Sequence, residues 1–177
     1  NQDGLRVDKS PLVTNTADFE TSVYDMRQRV EEDLTNLLRN FTGAEGTGKE
    51  WYGDYFKTSR EKTYNSEFDF SGFNTSKSVE VDMLFAARSR STTSISLEVG
   101  SKKITKTIGS VNILSAESLY AQKTQIRESF LISDANPLVK INFPNTASES
   151  EGWLDYLQIV SSRSLILNNT QLPFRSR

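Results

Sequence analysis

From Gly43 the chain reads G-A-E-G-T-G-K, all but the last letter of the phosphate-cradling pattern G-x-x-x-x-G-K-[ST]. The missing letter matters, because Glu50 stands where a Ser or Thr must hold Mg²⁺ and its charge would oppose the phosphates. The segment before the run reads as a helix where the pattern needs a strand. The W-Y-G-D-Y-F that follows has no helical period, so no helix N-terminus faces an anion there. The run is therefore a Gly-rich loop and not a nucleotide site. Two absences bound the remaining chemistry: the 177 residues contain no Cys and no His. That excludes a thiol nucleophile, a Ser-His-Asp triad and His- or Cys-ligated zinc within this chain. Carboxylate-pair chemistry, oxygen-ligated Ca²⁺ or Mg²⁺, or no chemistry at all remain.

The acids that come into question are the triplet Glu31-Glu32-Asp33 and Asp155. The triplet is expected on the solvated face of a helix. Asp155 belongs to E-G-W-L-D-Y-L-Q-I-V (Glu151–Val160), a strand apolar on both parities and hence central and covered on both sides. Trp153, Leu157 and Ile159 share one parity, which places the Trp153 ring in the core between sheets and points Asp155 the same way. A bare carboxylate in such a layer costs several kcal/mol. Asp155 is thus either a metal ligand or catalytic acid, or, as the preferred reading, half of a buried salt bridge, for example to Arg88 or Arg163. No second acid converges on it in the sequence, so no catalytic residue, cofactor or metal site is assigned.

The aromatics Trp51, Tyr52, Tyr55 and Phe56 fall within six positions. Exposed rings of this kind stack on sugars. Buried ones cap the open end of a sandwich while the indole N–H and phenol O–H find partners. Burial is the preferred reading for both Trp51 and Trp153, with Trp51 partly solvated at a rim; a glycan platform of Trp51, Tyr52 and Tyr55 is the alternative. The polar stretch Ala86–Ser96 is read as a hairpin connection rather than an anion site. Asn40, Asn74 and Asn168 open glycosylation sequons that matter only in a eukaryotic secretory setting.

Positioning these residues falls to many short strands. Lys62–Phe70, Ser78–Ala87, Thr93–Val99, Lys102–Ile108, Ser118–Gln125, Glu128–Ser133, Leu138–Phe143, Trp153–Val160 and Ser164–Leu167 all read as strands, and Gln171–Phe174 adds a last one. With turn-rich joints between them they describe a mainly β, antiparallel, jelly-roll-like sandwich over residues 48–177. Residues 1–18 form an extended lead-in, and residues 19–47 an arm and the Gly-rich loop. The arm is helical or extended. Val23, Met26, Val30, Leu34, Leu37 and Leu38 mark one helical stripe, with Asp18 or Thr21 as cap, and on that reading Leu34→Asp destabilises the domain. Apolar content of 36%, charged content of 25% and a net charge of −2 suit a globular chain. They make no electrostatic case for nucleic acid or an anionic membrane, and no run approaches the ~20 residues of a membrane-spanning helix. The first residues, N-Q-D-G-L-R-V-D-K-S-P, look like a mature or cut end.

Two segments carry a resemblance. G-K-E-W-Y-G-D-Y-F (Gly48–Phe56) resembles the S-G-x-E-W-[FY]-G-E-x-F motif of PorU-type surface signal peptidases. G-W-L-D-Y-L-Q-I-V-S-S-R-S-L (Gly152–Leu165) resembles their W-L-D-[YF]-[IL]-x-[LIV]-x-x-R-x-L motif. The segments around Glu31–Leu38, Val79–Gly100 and Gln171–Arg175 are similar to those flanking the two motifs, whereas Asp54 replaces the usual Glu and the loop Asn40–Gly48 is longer. These proteins are sortases of the type IX secretion system of Bacteroidetes and belong to the gingipain family of cysteine peptidases. Their His and Cys dyad lies C-terminal to the resembling region. The resemblance thus implies a non-catalytic sandwich of a secreted, cell-surface cysteine peptidase, without cofactor. Its partners would be the rest of its own parent chain and other secretion components.

Overall fold

Strand β9, Glu151–Ser164, is the longest element and the one on which the others assemble. The computed structural model describes residues 20–37, 50–115, 118–144 and 147–166. The lead-in, the Gly43–Lys49 run, the sequons at Asn40 and Asn168 and the strand expected at Gln171–Phe174 lie outside them. In chain order the other strands are β1 (Val23–Glu31), β2 (Tyr55–Phe56), β3 (Glu61–Thr63), β4 (Val79–Arg88), β5 (Thr93–Val99), β6 (Lys102–Ile108), β7 (Gln122–Phe130) and β8 (Val139–Asn142). One antiparallel sheet runs β1-β9-β4-β7, with β2 pairing the first residues of β9; the other runs β3-β8-β5-β6. The two stack as a β-sandwich, and the described residues contain no helix.

The arm is a strand over Val23–Glu31 and not a helix. Met26 and Val30 are four apart, a spacing that a helix face and a strand face share, so the pattern alone could not decide. Pairing decides it: β1 lies antiparallel along β9 from Val23↔Ser164 to Glu31↔Tyr156. A lone helix of this length is marginal in water, whereas the ladder satisfies the backbone and turns Tyr24, Met26 and Val30 to one face. Leu34, expected in the apolar stripe, is 69% exposed.

Five further expectations merge or shift. Ser118–Gln125 and Glu128–Ser133 contribute to one strand, β7, and Ser164 continues β9. Of Lys62–Phe70 only β3 is strand, yet Tyr64, Phe68 and Phe70 are buried from the loop that follows. Residues after Arg88 form no hairpin: β4 pairs β7 and β9 while β5 pairs β6 and β8, so the connection crosses between sheets.

The core fills the gap between sheets by strand alternation. Val81, Met83 and Phe85 of β4, Ile126 of β7 and Leu157 and Ile159 of β9 meet Ile95, Leu97 and Val99 of β5 and Val139 and Ile141 of β8. Phe85 contacts Phe56 and Phe143 with ring centroids 5.5 Å apart in each pair. A buried Leu or Ile side chain contributes about 1.5–3 kcal/mol. At the β6/β7 side Lys106 and Glu128 approach to 3.6 Å across the two sheets.

These placements separate two leucines. Leu157 is fully buried, and Leu157→Ala is expected to destabilise the chain by about 2–5 kcal/mol through lost contacts and a cavity. Leu34→Asp, at an exposed site, is expected to change stability by less than about 0.5 kcal/mol. Urea unfolding of both variants checks the pair; a large loss at Leu34 would contradict its placement.

Candidate functional site at the junction of β2 and β9

The two motif segments meet. Tyr55 pairs with Trp153 and Phe56 with Gly152. The Gly53 N–H donates to the Leu154 carbonyl at 2.8 Å and the Leu154 N–H to the Asp54 carbonyl at 2.9 Å. On the other side, Thr35 and Tyr52 exchange backbone hydrogen bonds of 2.8 Å. Two glycines permit the approach. A Cβ on Gly53 would stand 2.7 Å from Cβ and from the carbonyl oxygen of Glu32, so a side chain would push two backbones apart. One on Gly152 would stand 2.5 Å from Phe85 Cζ, inside the aromatic packing of the core.

A bulge interrupts this ladder. Leu84 pairs with Tyr156 but Phe85 pairs with Leu154, leaving Asp155 as the extra residue of β9. An inserted residue reverses strand parity. Leu154, Leu157 and Ile159 all join the core between the sheets, although 154 and 157 differ in parity. Trp153 is accordingly buried on the opposite face of the sheet, in a second cluster with Leu37, Tyr52, Ala86 and Ala121, and not in the core where uniform alternation placed it.

The aromatic run divides by alternation as well. Tyr52 and Phe56 are buried, whereas Trp51 is 43% and Tyr55 49% exposed, which corrects the expectation of a buried Trp51. Tyr55 stacks on Trp153 at 5.5 Å and an interplanar angle of 27°, and the Tyr120 ring centroid lies 6.1 Å from that of Trp153. The Arg88 guanidinium sits 4.3 Å from the Tyr120 ring centroid. Glu151 accepts from Tyr55 Oη at 2.8 Å and Lys57 Nζ at 2.6 Å. Asp54 accepts from Lys62 Nζ at 2.5 Å and Tyr64 Oη at 2.7 Å, tying the residue before β2 to β3 of the other sheet and to the residue after β3. Burial, reinforced by the bond to Asp54, pushes the Tyr64 phenol far up.

Asp155 is only 7% exposed. Both expected partners are engaged elsewhere. Arg88 donates to the carbonyls of Tyr120 and Ile113, at 2.9 and 3.2 Å. Arg163 donates from Nη1 to Asp69 at 2.9 Å, while its buried Nε and Nη2 have no partner among the described residues. Acids that sequence reasoning did not bring together act on Asp155 electrostatically. Burial first, then Glu31, Glu50 and Asp33, push its carboxyl up to about 6 against the opposing influence of Arg29. Those acids come from β1, the segment after it and the segment before β2. Only the odd spacing of Leu154 and Leu157, both expected to be buried, signalled the bulge that gathers them.

Along the same outer face, Arg29 lies 3.8 Å from the Tyr156 ring centroid, and Tyr156 Oη donates to Asp82 at 3.1 Å. Arg127 donates to Asp82 from Nε and Nη2 at 3.0 and 2.6 Å. A cavity of about 380 Å³ beside them is lined by Glu80, Asp82, Arg127, Ser129, Gln158 and Val160, with Asp82 and Arg127 neutralising each other. Among the described residues no three acids stand close enough to hold a metal ion.

Folded Asp155 keeps its proton to about pH 6, whereas an unfolded Asp releases it near pH ~4. The folded state binds more protons in that window, so the contribution of Asp155 to stability falls as pH rises from about 4 to 6 and stays lost above it. Asp155→Asn is expected to stabilise the chain by on the order of 1–2 kcal/mol at pH 7.5 and to be nearly neutral at pH 3.5. Urea unfolding at the two pH values measures the difference; equal effects at both would refute the assignment.

No protein-family model and no curated protein matches the chain in sequence. Among solved structures, dimeric latent PorU from Porphyromonas gingivalis matches with a TM-score of 0.69 at 15% identity, over 90% of this chain. A virus-like particle of the giant freshwater prawn Macrobrachium rosenbergii extra small virus reaches a TM-score of only 0.24 at 10% identity. The chain spans 14% of the PorU chain it matches. It has the fold of one region of PorU, in agreement with the resemblance carried by its two paired motifs.

Proposed function

We propose that this chain is a non-catalytic scaffold and docking sandwich of a secreted, cell-surface cysteine peptidase of the PorU type, one that processes cargo of type IX secretion. The observation that carries the reading is the junction itself. The two segments that resemble the family's motifs, more than 90 residues apart in sequence, pair directly through Gly53, Asp54 and Leu154. They do so on a fold shared with a region of PorU. In this position the motifs hold β2 against β9, an architectural task, and the thiol chemistry of such a peptidase falls to residues outside this chain, which has no Cys or His. Its partners are then the remainder of its parent chain and other secretion components at the bacterial surface.

The reading frame encoding the chain is expected to continue into a domain carrying His and Cys. Deleting residues 20–166 from that protein is expected to reduce trimming of folded cargo at least about tenfold while sparing hydrolysis of short peptides, as loss of a docking surface does. The purified chain alone is expected to cleave no peptide. Thiol-dependent cleavage by the chain, or cargo trimming untouched by the deletion, would overturn the proposal.

A second reading has one observation in its favour: Trp51 and Tyr55 are exposed, and Tyr55 stacks on Trp153, as a glycan platform requires. On that reading Trp51→Ala abolishes binding to a polysaccharide while leaving the melting temperature within about 1 °C. On the scaffold reading no polysaccharide quenches Trp emission in either form.

A further inference from the structure

The outer face of the first sheet holds a cavity of about 380 Å³ whose lining residues all lie on three adjacent strands, β4, β7 and β9. Strand register sets its floor as two rows. Arg127, Asp82 and Gln158 face one another across β7, β4 and β9, and so do Ser129, Glu80 and Val160. Asp82 stands at the centre of the first row, and its side chain is only 18% exposed. It accepts from Arg127 Nε and Nη2 at 3.0 and 2.6 Å, from Gln125 Nε2 at 2.7 Å and from Tyr156 Oη at 3.1 Å. Gln158 takes Arg27 Nε on its Oε1 at 2.6 Å, which turns its amide nitrogen the other way. These bonds fix the polar groups of the floor before anything binds, and strands hold them more rigidly than loops would.

We propose that this cavity binds an uncharged sugar ring of a saccharide. Its volume lies within the range of small-molecule sites, about 300–1,000 Å³. Charge does not select an ion, because Asp82 and Arg127 pair at 2.6 Å within the floor. Apolar surface does not select a hydrocarbon: Val81 turns into the core, which leaves Val160 as the apolar side chain on the outward lining. Nor does the centre of the floor offer a sheet edge to a peptide, since β4 and β9 each have a strand on both sides. What it offers is carboxylates that accept, a guanidinium and an amide that donate, and a serine hydroxyl that does both. Arg127 gives two of its five N–H donors to Asp82 and so has donors to spare. A sugar hydroxyl also donates and accepts, so neighbouring hydroxyls of one ring meet acceptor and donor side by side, while Val160 meets its C–H face. Such a site is independent of the peptidase reading. It is also separate from the platform of Trp51 and Tyr55, neither of which lines the cavity.

The test uses the ¹⁵N-labelled 177-residue chain. It is titrated by NMR with maltose, cellobiose, N,N′-diacetylchitobiose and mannobiose, each to about 100 mM. At least one disaccharide is expected to shift the Gln158 side-chain amide and the backbone amides of Glu80, Asp82 and Ser129, while the Trp51 indole signal stays still. Gln158→Ala is expected to weaken that binding at least about fivefold, and Trp51→Ala to leave it within about twofold. Unchanged signals from the core strands of each variant show that the fold is kept. Sodium acetate and arginine hydrochloride serve as charged controls, and neither is expected to move the cavity signals at equal concentration. No shift at the cavity with any of the disaccharides would overturn the site. So would shifts confined to Trp51 and Tyr55, equal shifts from acetate or arginine, or full affinity in Gln158→Ala. None of these outcomes bears on cargo trimming by the parent protein, so failure here is distinct from failure of the docking reading.

Discussion

A single inserted residue in one backbone ladder governs this molecule. Strand β9 is hydrogen-bonded to β4 on one side and to β1 and β2 on the other, so any change in its register is imposed on all of them. Because side chains alternate with period two, the bulge at Asp155 exchanges inside and outside partway along the strand. Beyond it Leu157 and Ile159 enter the core; before it Leu154 and Gly152 do. Without the bulge either half of β9 would turn its apolar residues outward.

That exchange produces two apolar assemblies from one strand. The main core lies between the sheets, and Trp153 anchors the second on the outer surface. A second cluster on the solvent face needs cover, and Leu37, Tyr52 and Tyr55 provide it, held by bonds from Thr35 and Leu154. Both resembling motifs serve this one purpose. Their glycines allow the backbones to touch, their aromatics cover Trp153, and Asp54 ties the assembly to the second sheet.

The bulge also accounts for the electrostatics of the surface. It carries a buried carboxylate on which acids from two other segments act. Elsewhere on this face charges are matched, as in Arg127 with Asp82 and Arg29 with Glu31. A carboxylate whose proton affinity is raised by burial and by like charges lowers stability once it ionises.

The sequence by itself determined the class of the fold and the limits on its chemistry. Period-two alternation over Thr93–Val99 and Lys102–Ile108 is a local property, and those strands form with the expected bounds. The absence of Cys and His is a fact of composition that no fold can alter. The spacing within each motif was equally legible, because adjacent residues carry it. What remained for the tertiary structure was everything that depends on a distant partner. Met26 and Val30 fit helix or strand until β9 supplied a ladder. Trp51 and Tyr52 were equivalent aromatics until pairing with Thr35 turned one outward and the other in. Asp155 lacked any visible acidic neighbour because Glu31, Asp33 and Glu50 lie more than 100 residues away in the chain. Parity along one strand is written in the sequence; where that parity breaks, and what gathers at the break, is decided by the strands on either side.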